Sequence, residues 1–168
     1  MTGTDAAGLV LPQLAAQLEQ LQTQQKATAK QIAKLVDEHP LSAVLTSLPR
    51  IGARTAGIIL AEVCGKAFQT AAHLASYAGV APVTRNSGTS IRGEHRSKRG
   101  NKKLKYALYL AAFASLRNPV SRTYYDRKRA EGMRHHQALM ALTRKRCNVL
   151  FAMLRDGALY EFKAPKSA

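Results

Sequence analysis

Leu11, Leu14, Leu18, Leu21, Gln25, Thr28, Ile32 and Leu35 recur at alternating intervals of three and four. These are the a and d positions of a heptad repeat, and no other pattern in the chain constrains its folding so tightly. The intervening residues are mostly Gln, Ala and Lys, which favour helix, so a single helix is predicted over 9–39. His39-Pro40 ends it, because the residue before a proline is pushed out of the α region. The stripe must be covered, either in a coiled coil with a second chain or another helix, or by lying on the chain's own core. Polar Gln25 and Thr28 weaken its middle. Residues 1–8 are small, polar and uncapped, and are expected to be disordered.

With 168 residues and 46% hydrophobic content, the chain has room for one domain beyond that helix. Lys and Arg number 26 against 10 Asp and Glu, a net charge of +16, and the excess is spread over most of the sequence after residue 50. A polyanion is the natural partner, nucleic acid before a membrane surface. No apolar run approaches the roughly 18 residues of a membrane span and no signal peptide opens the chain, so no membrane association and a cytoplasmic location are expected. Cys64 and Cys147 fall inside apolar helical patterns and are expected to be small core residues, not a disulfide or metal pair. His73 has no ligand-spaced companion, and His135-His136, being adjacent, must point different ways from a helix, toward solvent or phosphate.

Residues 41–63 read as two short apolar helices joined by Pro49-Arg50-Ile51-Gly52. This resembles the helix-hairpin-helix motif, in which a tight turn presents backbone N–H groups at a helix start to a DNA phosphate. Arg50, Gly52 and Arg54 are the candidate contacts. Arg50 stands where that motif has glycine, so a positive φ there would strain it, while its charge offers a phosphate contact.

Further helices are expected from Phe68 to Val80, with Thr70 as N-cap and Gly79 at the end, and from Asn101, as N-cap, to about Leu116. Asn118-Pro119 breaks the pattern, and residues 121–131 follow, stopped by Gly132. A last helix over about 134–155 carries Leu139, Leu142, Val149/Leu150 and Met153/Leu154 at helical spacing and Arg144, Lys145 and Arg146 on its outer face. Tyr124 and Tyr125 are expected to pack in the core and at its rim. Apart from short extended pieces near 80–92, the fold is expected to be all-α, a long N-terminal helix followed by a compact helical domain at 41–160 and a tail at 161–168.

Between these helices lies the stretch least like a core, 82–105. It sets Arg85, Arg92, Arg96, Lys98, Arg99, Lys102, Lys103 and Lys105 against one acid, Glu94, which focuses positive potential on it. Ser87, Thr89 and Ser90 are interleaved with Gly88 and Gly93, and glycine lets a backbone approach a ligand closely. Such a segment reads as a basic loop gripping nucleic acid without sequence preference, in which glycines present the serines to a ligand without a bulky neighbour.

Three blocks in order, Leu48-Pro-Arg-Ile-Gly through Ile59, Leu74-Ala-Ser-Tyr-Ala-Gly-Val-Ala-Pro82, and Ser87-Gly through Ser97-Lys-Arg-Gly-Asn-Lys-Lys-Leu104, resemble the C-terminal transposase domain of the insertion sequence 110 family of bridge-RNA-guided serine recombinases. The resemblance covers about 41–160. It implies that Ser87 is the nucleophile, with Ser90 its nearest rival, forming a phosphoserine link to DNA. Arg85, Arg92, Lys98 and Arg99 would offset charge in the transition state. It implies DNA and a structured guide RNA as partners, with a homodimer or tetramer joined through the coiled coil. It also implies a divalent metal, magnesium, held by a RuvC-like acidic domain. No cofactor is expected on this chain, whose acids Asp37, Glu38, Glu62, Glu94, Asp126 and Glu131 form no evident cluster. The competing implication is a non-enzymatic, backbone-binding module.

The stripe carries one direct expectation. Replacing Leu18 and Leu21 with Asp should turn an associating chain into monomers, as read by light scattering at micromolar concentration. A parent chain that is already monomeric would return the helix to its own core.

Overall fold

The computed structural model describes residues 3–87, 91–96 and 99–162, leaving out the side chains of residues 5, 6 and 83–96. Helix α1 (Gly3–Asp37) is followed by α2 (Ser42–Ser47), α3 (Ala53–Val63) and α4 (Ala71–Tyr77). An antiparallel ribbon, β1 (Pro82–Ser87) and β2 (Ile91–Arg96), leads to α5 (Lys102–Ala114), a 3-10 turn (Ser115–Arg117), α6 (Pro119–Ala130) and α7 (His135–Asp156). The fold is thus all-α in its core, and the ribbon occupies the stretch where short extended pieces are expected.

The compact part is assembled around α7, which packs against α2, α4, α5 and α6. Its buried residues Ala138, Leu139, Leu142, Thr143, Arg146, Cys147, Leu150 and Met153 follow the three-and-four spacing of one helical stripe. Cys147, Leu150 and Met153 share one buried cluster with Leu45, Ile59, Leu74 and Leu104, all fully buried, and Leu139 and Leu142 share a second with Ala112. Truncating one such leucine to alanine costs roughly 2–5 kcal/mol. The buried hydroxyl of Thr143 donates to the Leu139 carbonyl at 2.8 Å and that of Ser115 to the Ala112 carbonyl at 2.7 Å, so neither is left unpaired.

The end of α1 alone joins this core. A Cβ on Gly57 of α3 would lie 3.3 Å from the Cγ2 atoms of both Ile32 and Val36, so glycine lets the two helices touch there. Val36 is buried, whereas Leu11, Leu14, Leu18 and Leu21 are 53–63% exposed. The heptad stripe itself stays open to its end, Leu35 being 68% exposed; only Ile32 of it reaches α3, beside Val36, which lies off the stripe. The helix starts at Gly3 and contains Pro12, which corrects the expectation of disorder for residues 3–8. Ala6 and Ala7 favour helix there, although Pro12 stands inside the helix and its missing N–H leaves the Gly8 carbonyl without its usual helical partner.

Two glycines hold the foot of the ribbon. Gly79 has φ +68° and Gly100 φ +99°. A Cβ on Gly100 would stand 2.6 Å from the Gly79 nitrogen and 2.9 Å from the Tyr77 carbonyl oxygen, and one on Gly79 would stand 2.4 Å from the Arg99 carbonyl oxygen. Next to this contact Asn101 donates its backbone N–H to the Tyr77 carbonyl at 2.7 Å. Its side-chain oxygen caps α5 by accepting from the Leu104 N–H at 3.0 Å, and its Nδ2 donates to the Tyr77 hydroxyl at 3.0 Å and to Glu62 of α3. The ribbon leaves the domain from that junction in the register Pro82↔Arg96, Val83↔His95, Thr84↔Glu94, Arg85↔Gly93, Asn86↔Arg92, Ser87↔Ile91.

Cys64 corrects the expectation that both cysteines are internal. It follows the last residue of α3 and is exposed, its Sγ 3.9 Å from His39 Nε2, while Cys147 is buried. The apolar periodicity that includes it ends one residue earlier than the helix pattern suggests.

Gly100→Ala should destabilise the domain by at least about 3 kcal/mol, because both φ and space oppose the methyl group. Gly132→Ala, with φ +88° but nothing within 4 Å of the new Cβ, should cost only about 1 kcal/mol. Urea unfolding of the two variants checks this, and equal losses would show that backbone conformation alone, not the close approach, matters at the foot.

Candidate nucleic-acid interface

The turn between α2 and α3 is short because Leu48 and Ile51 are both buried and the Ile51 N–H reaches back to the Leu48 carbonyl at 3.1 Å. Closing it forces Arg50 to φ +68°, the one positive φ outside glycine among the described residues. The turn is held from below by Arg146, whose Nη2 donates to the Pro49 carbonyl at 2.6 Å. Arg146 is 8% exposed, which corrects its expected place on the outer face of α7. Burial pushes its pKa down to about 10, opposed by Tyr160, so it is charged at neutral pH and its bond to Pro49 is charge-assisted.

Arg50, Gly52 and Arg54 are all exposed. Gly52, the N-cap of α3, is extended (φ −97°, ψ 176°), and no side chain caps the helix. A Cβ there would have nothing within 4 Å, so its role is open space, not special conformation. The first N–H groups of α3 therefore face outward between two arginines, the arrangement that accepts an anion at a helix start.

A second basic surface lies at the ribbon foot. Arg99, Lys102 and Lys103 are exposed, the two lysines in the first turn of α5. Cations at a helix N-terminus oppose its dipole, and an incoming phosphate would relieve that. The Asn101–Glu62 hydrogen bond fixes this surface at the far end of α3 from the hairpin. Over the rise of nine helical residues the two stand about 14 Å apart. The candidates thus divide into two patches, Arg50, Gly52 and Arg54 in one, Arg99, Lys102 and Lys103 in the other.

Arg85, Arg92 and Arg96 occupy ribbon positions of known register, and Ser87 is the last residue of β1, paired with Ile91, one step from the Asn86↔Arg92 pair. Lys98, Thr89 and Ser90 lie outside the described residues. His73 is exposed. His135 and His136 diverge as adjacency requires, one ring nitrogen meeting the Tyr125 hydroxyl at 2.7 Å and the other the Tyr109 hydroxyl at 3.5 Å. The Tyr pair divides likewise, with Tyr125 buried and Tyr124 half-buried under cations, Lys145 Nζ being 4.4 Å and the Arg127 guanidinium 5.1 Å from its ring centre. Burial pushes the Cys147 thiol up to about 11, away from the reactive thiolate form.

Among the described residues no group of three or more His, Cys, Asp and Glu side chains fits a metal ion. No described helix is long and apolar enough to cross a membrane. The sequence model described as "Transposase IS116/IS110/IS902 family" matches residues 42–126, from the hairpin through the ribbon to α6. The chain is 54% identical to an uncharacterized 43.6 kDa protein of insertion element IS110 from Streptomyces coelicolor, over 97% of this chain and 41% of that protein. It is 42% identical to an uncharacterized 42 kDa protein of insertion element IS900 from Mycobacterium paratuberculosis, over 94% of this chain and 40% of the other. A pilin gene-inverting protein of Moraxella bovis is 32% identical over 71% of this chain and 38% of its own length. The chain thus spans about two fifths of the length of these curated relatives.

Arg50→Gly separates strain from charge. It should raise stability by roughly 0.5–1 kcal/mol, since glycine takes positive φ without penalty. It should also weaken nucleic-acid binding and lower the slope of log K against log salt by about one phosphate's worth. Thermal unfolding and salt-titrated binding read the two effects, and a stabilised variant that binds unchanged would remove Arg50 from the interface.

Proposed function

Since the chain belongs to the IS116/IS110/IS902 transposase family, we propose that it is the DNA-binding and nucleophile-bearing part of a transposase or recombinase, with Ser87 attacking the DNA backbone. The observation that carries this is the ribbon register. Ser87 ends β1, with Arg92 one pair back and Arg85 two residues before it, on an arm anchored at the Gly79–Gly100 contact. In the step assigned to it, the Ser87 oxygen attacks a phosphodiester phosphorus while the hydroxyl proton leaves. The bond to the departing strand's oxygen breaks, and that oxygen takes up a proton. A second DNA hydroxyl then displaces the serine, so bond energy is kept and no outside energy source is needed. Arg85, Arg92 and Arg99 serve to offset the charge that gathers on the phosphoryl oxygens, and Lys98 would add to them. The hairpin and the start of α5 grip backbone on either side of α3, positioning the strand without reading bases.

This chain's own described residues do not fit a metal site, so the divalent ion of the family chemistry, magnesium, is assigned to a RuvC-like acidic domain acting as partner. In the same reading α1 joins copies of the chain through its open leucines, as a dimer or tetramer, and a structured guide RNA is a further partner for the basic surfaces. A second reading, a binding module without chemistry, is favoured by one observation. The hairpin presents α3's N–H groups and Arg50 and Arg54 as a complete phosphate grip, with no need of Ser87.

Ser87→Ala removes one oxygen and no charge. With an acidic partner domain supplied, it should abolish a protein–DNA adduct seen in denaturing electrophoresis while leaving DNA affinity within about twofold. Arg92→Ala and Arg99→Ala should lower binding and rate together. An adduct retained in Ser87→Ala and lost in Ser90→Ala moves the nucleophile to Ser90, and one that survives both ends the serine chemistry.

A further inference from the structure

Beside the ribbon foot, the end of α4 and the first residues of β1 face α6 and α7 across a groove of about 580 Å³. One wall runs from Gly79 to Pro82. The other brings Lys128, Arg144 and Lys145 to the rim and Met133, Met140 and Ala141 to the floor. Among the described residues no carboxylate lines it. Lys128 is ion-paired to Glu131 outside the groove at 2.5 Å. Arg144 uses one donor on the Ala71 carbonyl at 3.4 Å, and its guanidinium has further N–H groups to offer. Lys145 rests over Tyr124, which holds the ammonium at the rim. His136 and the exposed amides of Gln137 and Asn148 complete the lining.

We infer that this groove is a binding site for an unpaired nucleic-acid strand, distinct from the duplex grip at the hairpin. Its phosphates lie on Arg144 and Lys145, with one base against the Met140 and Met133 floor. Three features select this ligand. Cations without a lining acid call for an anion, which an apolar peptide does not supply. A thioether floor takes a flat base of any identity, because methionine adapts its shape to the surface it meets. Tyr124 is already covered by cations, so the base goes to the methionines. The volume suits a nucleotide or two and excludes a duplex, whose grooves and backbones need a convex or far wider surface. The inference rests on the nucleic-acid-binding part of the proposed function and makes no use of Ser87.

The test is fluorescence anisotropy of the full chain with labelled oligo(dT), oligo(U) and a blunt duplex of equal length, each titrated with salt. Arg144→Gln with Lys145→Gln should weaken single-strand binding roughly tenfold or more and lower its salt slope by about 1.4, leaving the duplex within about twofold. Gln137→Glu guards against a folding artefact. It keeps the oxygen that accepts from the Arg134 N–H at 2.9 Å, and a carboxylate suits the first turn of α7, yet it places negative charge in the groove. It should weaken single-strand binding selectively while leaving the melting temperature unchanged or raised. Comparing oligo(dT) with oligo(U) tells whether a DNA or an RNA strand is preferred. Equal losses on single strands and duplex, or no loss on single strands, overturn the groove site. Binding of duplex but of neither single strand overturns it too while leaving the transposase reading standing. Groove-dependent single-strand binding without any Ser87 adduct supports the site and removes the chemistry.

Discussion

Asn101 uses its backbone N–H, its side-chain oxygen and its side-chain nitrogen on four groups from three helices: the Tyr77 carbonyl and hydroxyl, the Glu62 carboxylate and the Leu104 N–H. Since the partners belong to α3, α4 and α5, this one residue fixes where those helices meet. The close approach of Gly79 and Gly100 lies directly against it. A half-buried network with every member paired specifies one arrangement more sharply than apolar contact does, because each alternative leaves a donor or acceptor unsatisfied. The ribbon, the start of α5 and one wall of the basic groove all take their positions from that junction.

The hairpin is organised by the opposite means. There a strained residue, Arg50, is kept in place by a buried charge, Arg146, reaching from α7 to the Pro49 carbonyl. Burying a guanidinium carries a desolvation cost, seen in its lowered pKa, and that cost is offset only while the carbonyl stays where the turn puts it. The central helix thus supports both ends of the interface, the turn through Arg146 and the groove through Arg144 and Lys145 on neighbouring positions.

Much of the helical frame is legible in local chemistry. Thr70, Asn101 and Asn118 each cap a helix through a side-chain oxygen, and such signals act over three residues. Arg50 is legible too, since the turn motif asks for glycine there. Arg146 is not, because its partner lies 97 residues away and periodicity gives three consecutive basic residues no reason to differ. The ribbon is poorly legible since its sequence lacks the β-branched and aromatic alternation that marks strands. The groove is not legible at all, being built from 79–82 and 124–148, stretches that carry no shared motif. Nor does the heptad stripe tell where coverage stops, which depends on Gly57 of another helix.

Helix α1 has 35 residues and so extends about 50 Å, while its hold on the core is confined to the turns around Ile32 and Val36. A rod clamped at one end acts as a lever. A small rotation about the Gly57 contact sweeps its other end through many ångströms, and the same geometry turns a force applied at the tip into a large torque on α3. The length is that of about fifteen base pairs of duplex at 3.4 Å each, so whatever the rod is bound to at its far end is held more than a helical turn of DNA away from the Gly57 contact.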